Sequence, residues 1–364
     1  MNKVESVIAP GGTIGILGGG QLGRMLAQAA SQLGYHCHIY CPDERSPAFQ
    51  VADTYTVAEY EDEDALIKFA KSVDVVTYEF ENVPAQTAKI VSAHAVLRPG
   101  ANALAVAQDR LVEKDFLNDS GVVTAPYKAF ETAEELEVAL KEVGRPAVAK
   151  TRRFGYDGKG QSVVHNTSEI KAALEATKGA EAILEGFIQF DREISVVVAR
   201  SVDGDVAAFP VGENIHTNHV LDITTVPANI SDMVEAKAKV KATRIANSLE
   251  YVGVLAVEMF VSDKKGEIIV NEIAPRVHNS GHWTIEGAET SQFEQHIRAI
   301  CGLPLGRCLA RGNVVMKNLL GEDILDYMPY LSDPKASFHH YGKKDPRPGR
   351  KMGHVTWVEK SDIE

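Results

Sequence analysis

The run AVEMFVSDKKGEIIVNEIAPRVHNSGHWT spans residues 256–284 and contains two apolar strand patterns around a polar turn. A turn centred on Lys265 sets Glu258 opposite Glu272, on the same face of an antiparallel pair. Two facing carboxylates repel each other unless a cation lies between them, and oxygen ligands of this kind suit Mg²⁺. The alternative is an ordinary hairpin whose acids point to water. The apolar residues around the two acids and the polar run from Arg276 to His282 favour a functional site.

A glycine-bearing basic loop, RRFGYDGKGQ, occupies residues 152–161 between two strand patterns. Glycines at 155, 158 and 160 permit close approach of the backbone to a ligand, and the basic residues at 152, 153 and 159 supply positive charge. A mobile surface loop with incidental charges is the alternative. Its position between two strands predicts a lid that closes over phosphate.

The first hundred residues alternate strand and helix patterns, which predicts a parallel sheet covered on both faces. The segment GILGGGQLGRML, residues 15–26, carries a G-x-G-x-x-G fingerprint, and Asp43 follows about twenty residues further on. This pattern is also typical of nicotinamide or flavin enzymes, but alone it indicates only that a helix N-terminus can meet an anion. A second near-match, GRPAVAKT at residues 144–151, is a buried strand rather than a Walker phosphate loop, because no helix pattern begins at Lys150.

Composition excludes several classes of protein. The net charge of −12 argues against a nucleic-acid-binding or anionic-membrane-binding surface, and no apolar run is long enough to span a membrane. Four cysteines without a C-x-x-C spacing predict buried thiols, and we expect a cytoplasmic protein. Against the acidic background, GKKDPRPGRK at residues 342–351 stands out as a basic turn suited to a phosphorylated ligand; a solvated charged loop is the alternative.

The order of the segments QDRLVEKDFL, KTRRFGYDGKGQ, ILEGF, VEMF and NEIAPRVHNSGHWT resembles that of the ATP-grasp ligases. The segments GGGQLGRML, TYEFENVP and YGKKDPRPGRKMGHVT resemble the branch of that family that carboxylates aminoimidazole ribonucleotide in purine biosynthesis. The resemblance covers nearly the whole chain. It implies a mixed α/β and α+β chain with an ATP-grasp fold: an N-terminal Rossmann-like parallel-sheet domain at 1–112, an ATP-grasp domain at 113–300 with a lid subdomain at about 121–190, and a small C-terminal domain at 301–364.

The resemblance also implies site residues. The expected contacts with ATP are Arg110, Lys150, the lid residues Gly155, Tyr156, Asp157, Gly158, Lys159, Gly160 and Gln161, the adenine-binding Glu185, Gly186, Phe187 and Ile188, and Glu193, His216, Asn271 and Glu272. The expected Mg²⁺ ligands are Glu258 and Glu272, with Mn²⁺ as an alternative ion. The expected groups at the reacting atoms are Arg276, Asn279, Tyr156, Asp157 and Lys351. The expected contacts with the ribonucleotide are Gln21, Leu22, Glu79, Lys343, Arg350 and Lys351, with Glu81 on the same segment as Glu79.

The implied reaction joins bicarbonate to aminoimidazole ribonucleotide at the expense of ATP, through carboxyphosphate, and yields ADP and phosphate. The expected partners are these small molecules and a second copy of the chain in a homodimer. The alternatives are an NAD-dependent oxidoreductase, a nucleotide binder without activity, and another ATP-grasp ligase such as a formate-dependent glycinamide ribonucleotide transformylase. Two residues depart from the wider pattern. Phe154 replaces a common glycine, which we expect to stiffen the lid, and Ala274 replaces a common asparagine ligand.

Overall fold

The computed structural model describes residues 7–155, 160–262 and 266–359. The N-terminal part of the chain forms a parallel sheet, as the alternating pattern predicts. Its strands are β1 (Thr13–Leu17), β2 (His36–Tyr40), β3 (Thr54–Thr56) and β4 (Val75–Tyr78), and its helices are α1 (Gln21–Gln32), α2 (Glu63–Lys71) and α3 (Ala85–His94). The strand order is β3-β2-β1-β4, so the loop after β1 meets the end of β4. The pairing of β1 with β4 brings the glycine fingerprint beside the segment that follows Tyr78.

Two helices lead out of this sheet, α4 (Ala101–Ala107) and α5 (Arg110–Asp119). Asp109 caps α5 and accepts a hydrogen bond from the Leu111 N–H at 3.0 Å. An acid at a helix N-terminus satisfies free amides and complements the helix dipole. The cap therefore fixes where the first turn of α5, with Arg110, begins.

A small antiparallel sheet follows, with two helices packed on it. It contains β5 (Tyr127–Phe130), β6 (Ala147–Thr151), β7 (Gln161–Val164) and β8 (Ala182–Gly186), with α6 (Ala133–Val143) and α7 (Ile170–Thr177). The order β5-β8-β6-β7 places the strand of Lys150 between two others. The prediction that PAVAK is a strand and not a phosphate loop is confirmed.

The largest sheet has nine strands within the described residues. They are β9 (Arg192–Arg200), β10 (Val206–Ala208), β11 (Gly212–Thr217), β12 (Val220–Val226), β13 (Gly253–Ser262), β14 (Glu267–Ala274), β15 (Asn313–Leu320), β16 (Ala336–His340) and β17 (Lys351–Glu359). The order is β14-β13-β9-β11-β12-β15-β17-β16, and β10 pairs with β9. The remaining helices are α8 (Asp232–Ser248), α9 (Thr284–Gly287), α10 (Gln292–Ile300) and α11 (Met328–Ser332).

The C-terminal strands continue the large sheet. Thr224 of β12 pairs with Met316 of β15, and β15 pairs along its length with β17. Strands β15, β16 and β17 therefore share a sheet with the hairpin of β13 and β14. The domain boundaries given above stay predictions. The strand that begins at Lys351 belongs to the same hydrogen-bonded sheet as the strand that carries Glu258.

Both faces of the central strands are buried. Val196 and Val257 belong to the core under α8, whereas Val197 and Ala256 belong to the core that includes α10 and helix α1. The face that carries Glu258 is therefore the one on which the N-terminal sheet packs. The four cysteines are buried and free. In the described ranges, no helix has the length and apolar character needed to cross a membrane.

Candidate active site

Two acids face each other on the edge hairpin of the large sheet. Glu258 of β13 pairs with Glu272 of β14, as the sequence predicts. The register nearer the turn is offset by one residue, since Met259 pairs with Val270 and Asn271 is the extra residue of a β-bulge. Without this bulge, Glu258 would lie opposite Asn271. The bulge therefore places Glu272, and not Asn271, opposite Glu258.

The two carboxylates have different electrostatic surroundings. Arg110 Nη1 donates to Glu272 Oε2 at 2.9 Å. Burial alone favours the neutral acid, but the charges of Arg110 and Lys150 lower the pKa of Glu272. Burial and the neighbouring Glu272 raise the pKa of Glu258. The pair therefore carries one firmly held negative charge and one acid ready to lose its proton to a cation.

One face of α5 supplies three charged groups to this centre, since residues at i, i+3 and i+4 share a face. Beside Arg110, Glu113 accepts a hydrogen bond from the Ile273 N–H at 2.6 Å, and Lys114 donates to the Asn271 carbonyl at 2.7 Å. Burial and Glu272 raise the pKa of Glu113 to about 8. Sequence reasoning missed Glu113 and Lys114, although their spacing from Arg110 could have identified them.

Two lysines from different elements converge on one buried acid of the small sheet. Lys150 Nζ lies 3.0 Å and Lys114 Nζ 3.3 Å from Glu185 Oε2. The lysine charges lower the pKa of Glu185 to about 2 against the effect of burial. With Arg110, the centre holds three cations, whereas Glu185 and Glu272 are its two ionised acids. The excess positive charge fits an anionic ligand.

The other oxygen of Glu185, Oε1, is buried and has no hydrogen-bond partner among the described residues. It is an acceptor available to a ligand. The amides of Gly186 and Phe187, by contrast, already donate to Pro126 and Pro146. These two amides are therefore not available to an adenine base. In the expected adenine-binding stretch, the base would have to contact the backbone of Ile188 or carbonyl groups.

The ends of the glycine loop are tied to the start of α5. Arg152 donates twice to Asp109, at 3.0 and 2.7 Å, and Arg153 donates to Gln108 at 2.8 Å. Arg110 Nη2 reaches the Gly155 carbonyl at 3.4 Å. The predicted lid residues Tyr156, Asp157, Gly158 and Lys159 lie outside the described residues, whereas Gly160 and Gln161 follow at the start of β7.

Glu193 and His216 lie side by side on the acid-bearing face of the large sheet. Glu193 is on β9, and its Oε2 is 2.5 Å from Nδ1 of His216 on β11. Although burial opposes it, Glu193 raises the pKa of His216. In the sheet, Glu193 pairs with Phe260, two residues from Glu258 along β13. The structure thus brings together the expected ribose and metal residues.

The polar run after β14 contacts the N-terminal sheet. Arg276 donates from Nε to Glu81, and the charge of Arg276 lowers the pKa of Glu81 to about 2 although burial opposes this. His278 Nε2 lies 3.6 Å from Glu258 Oε1. Burial and Arg276 lower the pKa of His278 to about 3, so this imidazole is neutral at pH 7. Arg276 therefore lies between the N-terminal sheet, which carries Glu81, and the hairpin, which carries Glu258.

Asn279 is 7% exposed, and within the described residues neither its Nδ2 nor its Oδ1 has a hydrogen-bond partner. A buried amide that donates and accepts nothing loses its hydrogen bonds to water without replacement. Such a group marks a place for a ligand with both a donor and an acceptor. This observation supports the expected role of Asn279.

The N-terminus of α1 is already met by an anion from the chain itself. Glu79 accepts hydrogen bonds from the amides of Gly20 and Gly23, the latter at 2.9 Å, and burial raises the pKa of this acid. The anion that the fingerprint meets in this structure is therefore a carboxylate of the chain itself, which occupies two of its amides. Gln21 and Leu22 follow directly, and the Leu22 side chain is buried, so a contact from Leu22 would come from its backbone.

The basic turn lies at the start of β17, where a phosphate can approach. Lys343 Nζ donates to the Lys351 carbonyl at 2.8 Å, and Arg350 Nη1 donates to the Asp345 carbonyl at 2.9 Å. Burial, with Arg350 nearby, lowers the pKa of Lys343 to about 8. The charge of Lys351 affects the pKa values of both Lys343 and Glu258, and Glu79 also affects the pKa of Lys343. The turn therefore lies between Glu79 and the hairpin acids Glu258 and Glu272. Backbone carbonyls of the turn itself thus hold the side chains of Lys343 and Arg350.

The acid pair fits a divalent cation. Both ligands are carboxylates on neighbouring strands, and 18% of the Glu258 side chain and 39% of the Glu272 side chain are accessible from the cleft. All-oxygen ligands of this kind suit Mg²⁺ shared with substrate phosphates. Glu258 and Glu272 would hold the ion.

A small basic-lined sheet facing two acids of a larger sheet defines an ATP-grasp enzyme. The family model described as the ATP-grasp domain matches residues 115–293. The ribonucleotide synthetase preATP-grasp domain matches residues 12–108, and the phosphoribosylaminoimidazole carboxylase C-terminal domain matches residues 314–364.

Similar proteins of known activity indicate which of the ATP-grasp enzymes this chain resembles. N5-carboxyaminoimidazole ribonucleotide synthase of Brucella melitensis is 48% identical over 99% of both chains, and that of Bacillus subtilis is 43% identical over 99% of this chain and 95% of its own. A crystal structure of the synthetase from Aspergillus clavatus with ADP and 5-aminoimidazole ribonucleotide covers 97% of this chain and 95% of its own, with a TM-score of 0.91 and 32% identity. The chain belongs to the N5-carboxyaminoimidazole ribonucleotide synthase family.

Proposed function

We propose that this chain is an ATP-dependent ligase that carboxylates 5-aminoimidazole ribonucleotide with bicarbonate, in purine biosynthesis. The observation that carries the proposal is the joint placement of the paired acids Glu258 and Glu272, the cations of α5 and β6, and a separate basic turn at β17. One centre fits a metal-bound triphosphate and the other a ribonucleotide phosphate. Asn279, whose side-chain amide has no hydrogen-bond partner among the described residues, follows Arg276 closely in the sequence after β14. These two side chains could bind bicarbonate together.

The nucleotide side is built by α5, β6 and β8. Arg110 and Lys150 bind the phosphates, and Lys114 holds Glu185 in place so that its free oxygen faces the base. Glu193 binds the ribose hydroxyls beside His216. When bound, Mg²⁺ neutralises phosphate charge and so favours attack at the γ-phosphorus. Gly155 to Gln161 close over the nucleotide and exclude water.

Bicarbonate is a weak electrophile and needs activation. A bicarbonate oxygen attacks the γ-phosphorus of ATP, the bond to ADP breaks, and carboxyphosphate forms. Arg276 binds the anion, while Asn279 donates from Nδ2 to one of its oxygens and accepts from its hydroxyl with Oδ1. Glu81 keeps the Arg276 guanidinium in position for this contact.

The amine of the ribonucleotide then forms the new C–N bond. It attacks the carboxyl carbon, phosphate leaves, and the nitrogen loses a proton; Asp157 and Tyr156 are the groups we place at this step. Lys343, Arg350 and Lys351 bind the ribonucleotide phosphate. Glu79, with the backbone of Gln21 and Leu22, contacts the ribose side. Because Glu79 already fills part of the α1 N-terminus, the phosphate is directed to the basic turn instead.

An assay of phosphate release tests this function. With ATP, Mg²⁺ and bicarbonate present, 5-aminoimidazole ribonucleotide should stimulate phosphate release and be consumed. Glycinamide ribonucleotide with formate, the substrate pair of the alternative ligase, should not. Equal stimulation by both acceptors, or stimulation by neither, would contradict the proposal. The cytoplasmic location and the homodimer stay predictions, and sedimentation of the purified enzyme measures the second.

A further inference from the structure

A second cluster of metal-binding side chains lies on the C-terminal strands. His339 of β16 pairs with His354 of β17, so both imidazoles project from the same face, and their rings stack at 4.4 Å. Glu286 of α9 meets them, with Oε1 2.6 Å from His339 Nε2. One donor atom from each of the three residues lies within 4.8 Å of the others.

The hydrogen bonding of this cluster is incomplete. His354 is fully buried, yet its Nε2 has no hydrogen-bond partner among the described residues, and the same holds for the buried Oε2 of Glu286. Two buried atoms with lone pairs and no donor between them are costly unless something occupies the space. A ligand that accepts electron pairs would satisfy both atoms.

The groups behind these atoms are arranged for coordination. The Tyr341 hydroxyl lies 2.9 Å from His354 Nδ1. When Nδ1–H donates to that oxygen, the lone pair of His354 is on Nε2, the buried atom that has no partner among the described residues. Hydrogen bonding of the remote nitrogen in this way orients metal-binding histidines.

We propose that Glu286, His339 and His354 form a zinc site, separate from the Mg²⁺ site of the hairpin. Two imidazoles and one carboxylate are a ligand set that zinc binds with a water molecule in the fourth position. Zinc ligands lie about 2.0–2.1 Å from the ion, so donor atoms that lie within 4.8 Å of one another would move closer together to bind one ion. Coordination would replace the hydrogen bond between Glu286 and His339.

The site has access from solvent. His339 lines a cavity of about 490 Å³ that is also bounded by Gln28 and Gln32 of α1 and by Ile285 and Phe293. An ion can reach the outer ligands by this route, whereas His354 closes the inner side. Once bound, zinc would link α9 to β16 and β17, the strand that begins at Lys351.

Cobalt(II) tests the proposal, because it replaces zinc and gives intense visible bands when four-coordinate. Chelator-treated enzyme without ATP is titrated with Co²⁺ and, separately, with Zn²⁺ while its Tm is measured. We expect one equivalent of Co²⁺ to give these bands, and zinc to raise Tm by about 3 °C or more. Both effects should remain in Glu258→Gln, which removes a ligand of the hairpin site.

The variants His339→Ala and Glu286→Gln should abolish both effects, and the second of them preserves side-chain volume. His165→Ala, which removes an exposed imidazole from the small-sheet region, is the matched control and should behave as wild type. A wild-type enzyme without the bands would overturn the proposal, as would bands that persist unchanged in Glu286→Gln and His339→Ala. A water molecule at the site would give the first of these results.

Discussion

Glu258 and Glu272 are the same residue type in paired positions, yet their pKa values shift in opposite directions. The difference between the two pKa shifts comes from Arg110, which donates a hydrogen bond to Glu272. In the free enzyme, Arg110 therefore keeps Glu272 ionised while Glu258 holds its proton more firmly than an exposed acid. Cation binding removes that proton and makes both carboxylates available.

Glu272→Gln tests the metal assignment, since it retains shape but removes the charge between Arg110 and the cation. We expect kcat to fall at least about a hundredfold, given that even outer partners of metal ligands cost 10–100-fold. Phosphate release at saturating substrates measures this, with thermal unfolding as a check of folding. Glu267→Gln, an exposed change on the same strand, should keep normal turnover. Near-normal turnover in Glu272→Gln would refute the assignment.

Lys343 gives the enzyme a pH dependence. Because burial lowers the pKa of Lys343 to about 8, its ammonium is charged below pH 8 and neutral above it. Only the charged form attracts the ribonucleotide phosphate, so kcat/KM for the ribonucleotide should decrease as pH rises through 8. In Lys343→Arg the decrease should move to higher pH. An identical pH profile in that variant would show that another group titrates.

At the level of single residues, the facing acids and the basic turn could be predicted, because strand alternation and local charge are visible in the sequence. Glu113 and Lys114 were not identified. Their spacing shows that they share a helix face with Arg110, but their position opposite β14 depends on how α5 packs. The position of Glu79 on the α1 N-terminus was not predicted either. It results from the adjacency of β1 and β4, which no local pattern reveals.

Helix α5 acts as a frame for the nucleotide side of the site. Its cap, Asp109, also binds Arg152 from the lid loop, so one carboxylate holds both the start of the helix and the base of the lid. Next to Arg153, Phe154 has a φ of 60°, a left-handed conformation that favours glycine. Glycine adopts this conformation without a steric cost, whereas Phe154 does not.

Asp109→Ala should impair both functions of the cap. Loss of the cap alone costs about 1–2 kcal/mol, and the freed Arg152 loosens the lid, so KM for ATP should rise. Asp62→Ala is the matched control, because Asp62 caps α2 in the same way, through the Ala65 N–H, away from the site. It should lower Tm with little change in KM. If both variants had the same KM, the cap would have no role in nucleotide binding.

At the scale of the whole molecule, the Glu81–Arg276 contact joins the N-terminal sheet to the end of β14. It connects the half that we propose binds the ribonucleotide to the half that we propose binds ATP. In the proposed function Arg276 positions bicarbonate, so its contact with Glu81 would link the two partial reactions.

Glu81→Gln should therefore uncouple the reactions. Without the carboxylate, Arg276 is held less firmly, carboxyphosphate is lost to water, and more than one phosphate is released per carboxylated product. Parallel measurements of phosphate and product give the ratio. Glu61→Gln, an exposed change in the same part of the chain, should keep the wild-type ratio. A ratio unaffected by Glu81→Gln would show that the contact serves folding alone.

The three-part organisation could be predicted because each part has its own periodicity and motifs. The shared sheet could not, since β12 and β15 pair across nearly ninety residues of intervening chain. Their pairing is decided by packing against α10 and the N-terminal sheet. Long-range strand order carries no signature within either strand.

The bulge at Asn271 has a practical consequence for protein engineering. Since the offset is confined to one position of β14, peptides grafted between Ser262 and Glu267 would leave the register of Glu258 and Glu272 intact. Deleting Asn271 would remove the bulge and still leave Glu258 opposite Glu272, so this deletion separates the need for the local bend of β14 from the need for the paired acids. The tip of this hairpin is thus a place for tags or sensors.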